Sequence, residues 1–312
     1  MKLLIAYDGS KCAEAAIDDL HQAGLPEELE ALVISVAEVW LPPDDAEQNI
    51  GESLEPYAAE QIRKQWQKGR RAVGEAEMLA KHAQTRISQI FPRWKVEAEA
   101  TYGSPAWEIL QKAEDFSADL ILIGSHGRTA LGRFFLGSIS QKVLTEAKIS
   151  VRIARGKVEV DPVPPRIVIG FDGSKGAQAA VNTVASRTWS ENTEVRLIAA
   201  TDPVTPSAIG RFVPPVANWV EEANKGERRW MEEISQGALK QLEDAGLKAT
   251  LSIIAGNPKN VLIEEAERWH ADSIFVGANA SGGRFQKFLL GSVSAAVAAR
   301  AHCTVEVVRQ KE

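Results

Sequence analysis

The chain carries the same landmarks twice, in the same order. "IAYDGSKCAEAAI" at 5–17 returns as "IGFDGSKGAQAAV" at 169–181, an offset of 164 residues. "ADLILIG" at 118–124 returns as "ADSIFVG" at 271–277, and "LGSIS" at 136–140 as "LGSVS" at 290–294. A repeat this long is no solenoid unit, so each copy must be a complete domain with its own core. The 312 residues, 45% hydrophobic and 25% charged, supply material for two such cores and show no bias toward disorder. Between the copies runs "RGKVEVDPVPPR" at 155–166, whose three prolines suit an extended connection that can join neither a helix nor a central ladder. The expected division is a first domain over 1–156, a linker over 157–165 and a second domain over 166–312.

Within the first copy, short β-branched runs alternate with longer helical patterns. Strands are expected at Leu3–Tyr7, Ala31–Val36, Val96–Ala100, Leu120–Ile123 and Ser150–Ala154. Helices are expected at Ala13–Leu20, in a long segment ending near Ile90, at Ala106–Phe116 and at Ser138–Ala147. Ala106, Ile109, Leu110 and Ala113 fall at i, i+3, i+4, i+7, a core-facing stripe. The second copy repeats the scheme, with strands near Arg166–Gly170, Val195–Ala200, Ala249–Ile254, Ser273–Val276 and Thr304–Val308. Strands apolar on both faces, alternating with helices, mean a parallel sheet covered on two sides. The fold class is therefore α/β: two doubly wound parallel-sheet domains in tandem.

Composition excludes several partners. A net charge of -6 and a pI near 5.6, with no basic stripe, argue against a nucleic-acid surface. No apolar run approaches the ~18 residues of a membrane span. The opening "MKLLIAYDGS" ends its apolar run at an aspartate and reads as a first strand, so a cytoplasmic protein is expected. Cys12 and Cys303 are too few for a disulfide framework or a zinc cluster, and no metal ligands are expected.

The stretch "GSHGRTALGRFFLGSIS" at 124–140 follows the fourth expected strand and holds four glycines and three serines. In open parallel sheets, ligands sit beyond the carboxyl ends of the strands. A glycine there admits a ligand close to the backbone and allows positive φ. The helix starting at Ser138 would offer unpaired N–H groups to an anion, and Asp8, ending the first strand, could accept hydrogen bonds from a ribose or an adenine. The same stretch also fits a plain tight loop with Ser138 as an ordinary N-cap. It is not a P-loop, because Arg133 and Phe134 stand where lysine and a hydroxyl belong, and no G-x-G-x-x-G follows a first strand.

Catalytic readings fare worse. His126 has no second histidine or paired carboxylate nearby in sequence, and His21, His82, His270 and His302 are scattered. Ser138 lacks a G-x-S-x-G elbow. The eight tryptophans recur on helical patterns, for instance Trp107 and Trp269, where core or interface packing is expected. The acidic stretch beginning at Pro42 is expected to be a solvated loop leading into the long helix.

Gly124-x2-Gly127-x9-Gly137-Ser138, a strand-ending Asp8 and the two-domain repeat together resemble the universal stress protein family, in its tandem form and its ATP-binding branch. The resemblance covers nearly the whole chain and implies Rossmann-like, universal-stress-type domains. It further implies that Ala6 and Asp8 border an adenosine, that Val36 meets adenine through its backbone, and that Ile123, Gly124, His126 and Gly127 line ribose and phosphates. Gly137, Ser138, Ile139 and Ser140 would hold the phosphates. Arg128 is added here as a cation beside the anion site, with a solvated loop charge as its alternative. The ligand would be ATP, ADP or AMP, with magnesium accompanying a triphosphate.

The second copy departs from the pattern. "GANASGGRFQKFLLGS" places Ala280 where the second glycine belongs and is one residue too long. Asp172, Gly277, Gly291, Ser292 and Ser294 remain as weaker candidates. One competent and one degenerate site are expected. The resemblance implies antiparallel pairing of the last strands of the two domains across a pseudo-twofold axis, leaves a homodimer of tandems open, and implies a stress-response sensor or regulator acting on a protein client. The rival is a slow ATPase or phosphotransferase using the same loop.

Overall fold

The computed structural model describes residues 1–42, 56–127, 136–155, 164–203, 214–278 and 290–310. The first half runs β1 (Lys2–Ala6), α1 (Lys11–Asp19), β2 (Glu30–Ala37), α2 (Pro56–Ile90), β3 (Lys95–Tyr102), α3 (Pro105–Asp115), β4 (Leu120–Gly124), α4 (Ser138–Glu146) and β5 (Ser150–Ala154). The second runs β6 (Arg166–Gly170), α5 (Lys175–Ala185), β7 (Glu194–Thr201), α6 (Pro214–Asp244), β8 (Lys248–Ala255), α7 (Pro258–Arg268), β9 (Ser273–Gly277), α8 (Ser292–Arg300) and β10 (Thr304–Val308).

Each half is a parallel sheet in which β1 or β6 sits centrally and the chain winds outward in both directions. The two sheets do not end at the domain edges: they merge into one ten-stranded sheet of order β3-β2-β1-β4-β5-β10-β9-β6-β7-β8. The join is the antiparallel pair β5–β10, with Ile153 opposite Val305, Arg152 opposite Glu306 and Val151 opposite Val307. An apolar terminal strand on each half would otherwise be an open edge.

The local signals behave as their chemistry requires. Ser10 caps α1 by accepting from the Ala13 N–H, and Ser174 caps α5 from Ala177 in the same way. Pro105 and Pro258 open α3 and α7, where a missing N–H costs nothing. Residues Leu3 to Ala6 of β1 are buried on both faces. On one side of the sheet, α3, α4, α7 and α8 share a single apolar cluster that crosses the junction through Ile153 and Val305. On the other side, α1 and α2 form one cluster and α5 and α6 another.

At the junction on that second side lies a buried charge group. Arg152 Nε donates to Asp19 Oδ2 at 2.6 Å and its Nη1 to Glu306 Oε2 at 3.2 Å. Arg187 donates through Nη1 to the same Glu306 oxygen at 2.9 Å and through Nη2 to the other. Thr304 Oγ1 donates to Asp19 Oδ1 at 2.6 Å, and the Phe275 ring lies beneath both guanidiniums at 5.8 and 5.2 Å. Signs alternate along Asp19, Arg152, Glu306, Arg187, with Asp19 and Arg152 from the first half and the other two from the second. If β5 paired with another β5 in this register, Arg152 would face Arg152, a like-charge pair in the sheet.

Glu306→Ala would leave Arg187 without a carboxylate among the described residues and Arg152 with Asp19 alone, so it is expected to destabilise the chain by about 3–5 kcal/mol in urea denaturation. Glu27→Ala, which removes the exposed partner of Arg93, should cost no more than about 1 kcal/mol in the same measurement.

Candidate functional site

The site is built where strand order reverses, between β1 and β4. β1 runs out into Asp8-Gly9-Ser10, a turn in which Gly9 takes φ 73° and Asp8 Oδ1 accepts from the Ser10 N–H at 2.9 Å. Ser10 Oγ also donates to the His126 carbonyl at 3.3 Å, tying this turn to the end of β4. Past β4, the Ser125 N–H donates to Ala154 O at 3.1 Å, and the Gly137 N–H returns to Ser125 O at 2.8 Å. Ser140 Oγ donates to Gly124 O at 2.8 Å. These last two bonds hold the start of α4 over the end of β4.

Gly137 is the N-cap of α4 and has no side chain to cap it. Among the described residues, the N–H groups of the first turn, from Ser138 onward, therefore have neither an intrahelical acceptor nor a side-chain cap. They open toward a cavity of about 410 Å³, within the range of small-molecule sites. Its floor is Ala6, Asp8, Val36, Ile123 and Gly124, and its rim includes His126, Gly127, Ile139 and Ser140. Gly137 and Ser138 flank it at the helix start. Arg128 lies outside the described residues, as do Ala280 and residues 157–163 of the expected linker.

Several expected roles change. Gly124 does not take positive φ; a Cβ there would stand 2.8 Å from the Cys12 carbonyl carbon in α1. Its bareness serves helix–strand packing first. Gly277 meets Gly176 of α5 more closely still. Gly127 is the position where side-chain bulk would reach the site, since its Cβ would lie 3.2 Å from Asp8 Oδ2. Ser138 is not the N-cap, because Gly137 is. Ser140 is buried with its hydroxyl proton committed to Gly124, so it latches the helix and leaves only lone pairs for a ligand.

His126 is 9% exposed, with Nδ1 2.9 Å from Ser125 Oγ and a buried Nε2 that has no partner among the described residues. Burial, and secondarily the Arg155 charge, hold its pKa below the ordinary histidine value, so the ring is neutral at physiological pH.

Other walls were not anticipated from the sequence. Ala72, Glu75, Ala76 and Leu79 of α2, Pro105 and Ile109 of α3, and Glu38 and Val39 after β2 complete the cavity. The α2 residues fall at i, i+3, i+4, i+7, so the stripe itself is visible in sequence, although what it faces is not.

The second half repeats the layout in a smaller space. Asp172, Gly277, Gly291, Ser292 and Ser294 all line a cavity of about 160 Å³. Ser294 Oγ donates to Gly277 O at 2.5 Å and the Gly291 N–H to Ala278 O at 2.6 Å, the counterparts of the first-half latches. Here Leu262 and Val276 close down over β6, reaching within 3.0 and 3.2 Å of where a Gly170 Cβ would stand.

Among the described residues, no group of three or more His, Cys, Asp or Glu could hold a metal ion, and no helix is long and apolar enough to cross a membrane.

A doubly wound sheet with a glycine-capped helix start and a cavity at its switch point, present twice, defines a tandem α/β protein. The model of the universal stress protein family matches residues 1–155 and again 165–309. A universal stress protein of Mycolicibacterium smegmatis is 26% identical over 258 residues, covering 82% of each chain. One of Mycobacterium tuberculosis is 25% identical over 251 residues, covering 78% of this chain and 79% of that one. The crystal structure of a universal stress protein from Archaeoglobus fulgidus covers 99% of this chain and 98% of its own, with a TM-score of 0.63 at 20% identity. The chain belongs to the universal stress protein family and carries two of its domains in tandem.

Gly124→Ala is expected to cost about 1–3 kcal/mol in denaturation, because helix backbone cannot move aside as a side-chain end can, and Gly277→Ala at least as much. The depressed pKa of His126 contributes stability that is complete above the ordinary histidine range and is lost as pH falls through that range toward the folded-state value. Denaturation as a function of pH should show this slope, and His126→Gln should flatten it.

Proposed function

We propose that the first domain binds an adenine nucleotide, ATP, ADP or AMP, with the phosphates at the start of α4 and the nucleoside in the cavity floored by Ala6, Asp8 and Val36. The observation that carries this reading is the uncapped first turn of α4 opening onto a cavity of about 410 Å³ with Gly127 at its rim. Backbone N–H groups and the helix dipole suit an anion there. The apolar floor suits a base, and the Asp8 carboxylate suits ribose hydroxyls. Glu38 and Glu75 on the same wall make bare polyphosphate a poor neighbour unless a cation accompanies it, so magnesium is expected to come with a triphosphate.

The 160 Å³ cavity of the second domain lies below the usual range for a ligand of this size. The chain is thus read as a one-site nucleotide sensor or regulator, whose bound state would be presented to a protein client. His126 is neutral and bonded to Ser125, and among the described residues no activated nucleophile stands beside the cavity, which favours retention of nucleotide over turnover.

Calorimetric titration of the full chain with ATP is expected to give one site. Gly127→Val should weaken it at least tenfold, about 1.4 kcal/mol, by filling the rim. Mass spectrometry of the denatured, freshly purified protein should detect adenine nucleotide. A wild-type chain that binds none of the three nucleotides at millimolar concentration would overturn the reading, and steady phosphate release would favour the ATPase.

A further inference from the structure

Each strand at the junction is followed by an arginine that reaches into the opposite half. Arg309, after β10, donates from Nη2 to Leu144 O at 2.6 Å and from Nη1 to Ile149 O at 3.3 Å, at the C-terminal end of α4. Arg155, after β5, donates from Nη1 to Ala301 O at 2.5 Å and from Nη2 to Ala298 O at 2.7 Å and Ala299 O at 3.1 Å, at the C-terminal end of α8. Backbone bonds seat both: the Arg309 N–H on Ser150 Oγ at 3.0 Å, and the Arg155 N–H on Thr304 Oγ1 at 3.3 Å.

Both arginines are more than nine-tenths buried, and among the described residues neither makes an ion pair. A buried guanidinium without a carboxylate is costly unless something else carries negative charge. Here that something is the C-terminal carbonyl end of a helix. Burial lowers both pKa values, that of Arg309 to about 10, so the charge persists at neutral pH.

The two helices held this way are the ones whose opposite ends start at the two cavities. The case of α4 is the sharper, because it has no basic residue in its last turn, whereas α8 has Arg300. α4 is nine residues long, so its ends stand roughly 13 Å apart at about 1.5 Å per residue. Arg309 is therefore too far away to touch a ligand at Ser138.

We propose that Arg309, contributed by the second domain, is a positioning residue for the phosphate end of the first-domain site. It fixes α4 along its axis so that the first-turn amides stand where the phosphates lie. The proposal rests on the nucleotide reading of that cavity. Its consequence is that phosphate affinity in the first domain depends on how β10 docks, so any partner or modification that disturbs the junction is felt at the site.

The test measures dissociation constants for ATP and for adenosine on full-length wild type, Arg309→Gln, Arg309→Lys and Arg166→Gln. Arg309→Gln is expected to weaken ATP about five- to tenfold and adenosine less than twofold. Arg309→Lys should fall between it and wild type for ATP. Arg166→Gln, which removes a guanidinium that donates to Trp269 O at 3.3 Å at the C-terminal end of α7, within the second half, should leave ATP within twofold of wild type. Equal weakening of ATP and adenosine, the same loss from Arg166→Gln, or unchanged ATP affinity in Arg309→Gln would overturn the positioning role. If Arg309→Gln does not fold, Arg309→Lys decides the matter by the same contrast between ATP and adenosine. A wild type that binds no ATP would overturn the cavity reading itself, a result distinct from all of these.

Discussion

A guanidinium with no solvent contact sits at the middle of the ten-stranded sheet, and everything around the junction is arranged to tolerate it. Arg152 is the largest fully buried side chain among the described residues. A cation in that position costs several kcal/mol unless carboxylates are held against it in good geometry. Asp19 comes from its own half and Glu306 from the other, directly across the antiparallel pair. Apolar pairing of β5 and β10 would close the edge, yet it would not choose between partners, since Val and Ile pack against either copy alike. The alternating charges do choose. They make the first half complementary to the second and not to itself, and they require the strand register to be the one observed.

The same junction sends one arginine each way onto the helix that begins at the opposite half's cavity. In each domain, helix start and helix end are thus governed by different halves: the start is latched by local bonds to Gly124 or Gly277, and the end is held from across the sheet. The cavities themselves nonetheless diverge. Both domains have the same strand order, the same turn after the central strand and the same glycine-serine helix start. What differs is the wall and the bulk at a few positions: α2 lines the first cavity, whereas among the described residues none of α6 lines the second. Alanine at 6 lies under an open floor, whereas at 170 the missing Cβ makes room that Leu262 and Val276 take up. Backbone architecture fixes where a ligand could sit, and the side chains and helix face brought over that point set how much space there is.

The fold was legible to a large degree because its strongest signals are local. Strands buried on both faces read as continuous apolar runs, and those runs were located to within a residue or two. The edge strands β3 and β8 extend further than expected, to Tyr102 and Ala255, because their outer residues are only half-buried and leave a weaker pattern. α2 begins at Pro56, inside a stretch whose acidic character suggests a loop. Trp107 falls on a helical pattern but is 57% exposed, while Trp269 packs against the core and under Arg196. Periodicity tells which residues share a helix face, and it says nothing about whether another element covers that face.

The candidate site was legible in part. Nine of the twelve first-domain positions line one cavity, Gly137 and Ser138 flank it, and Arg128 lies outside the described residues. Gly124 is bare because α1, more than a hundred residues earlier in the chain, passes over it. The site's positive-φ glycine is Gly9, in the turn beside Asp8. By itself the sequence determined the duplication, the α/β class and the glycine-serine helix start, because these depend on short-range patterns of bulk and polarity. Only the tertiary structure decided which glycines face a ligand and which face backbone. It alone brought α2 onto the cavity and set Arg152, Glu306, Arg155 and Arg309 across the junction, because those relations join residues that chain distance separates and packing alone makes neighbours.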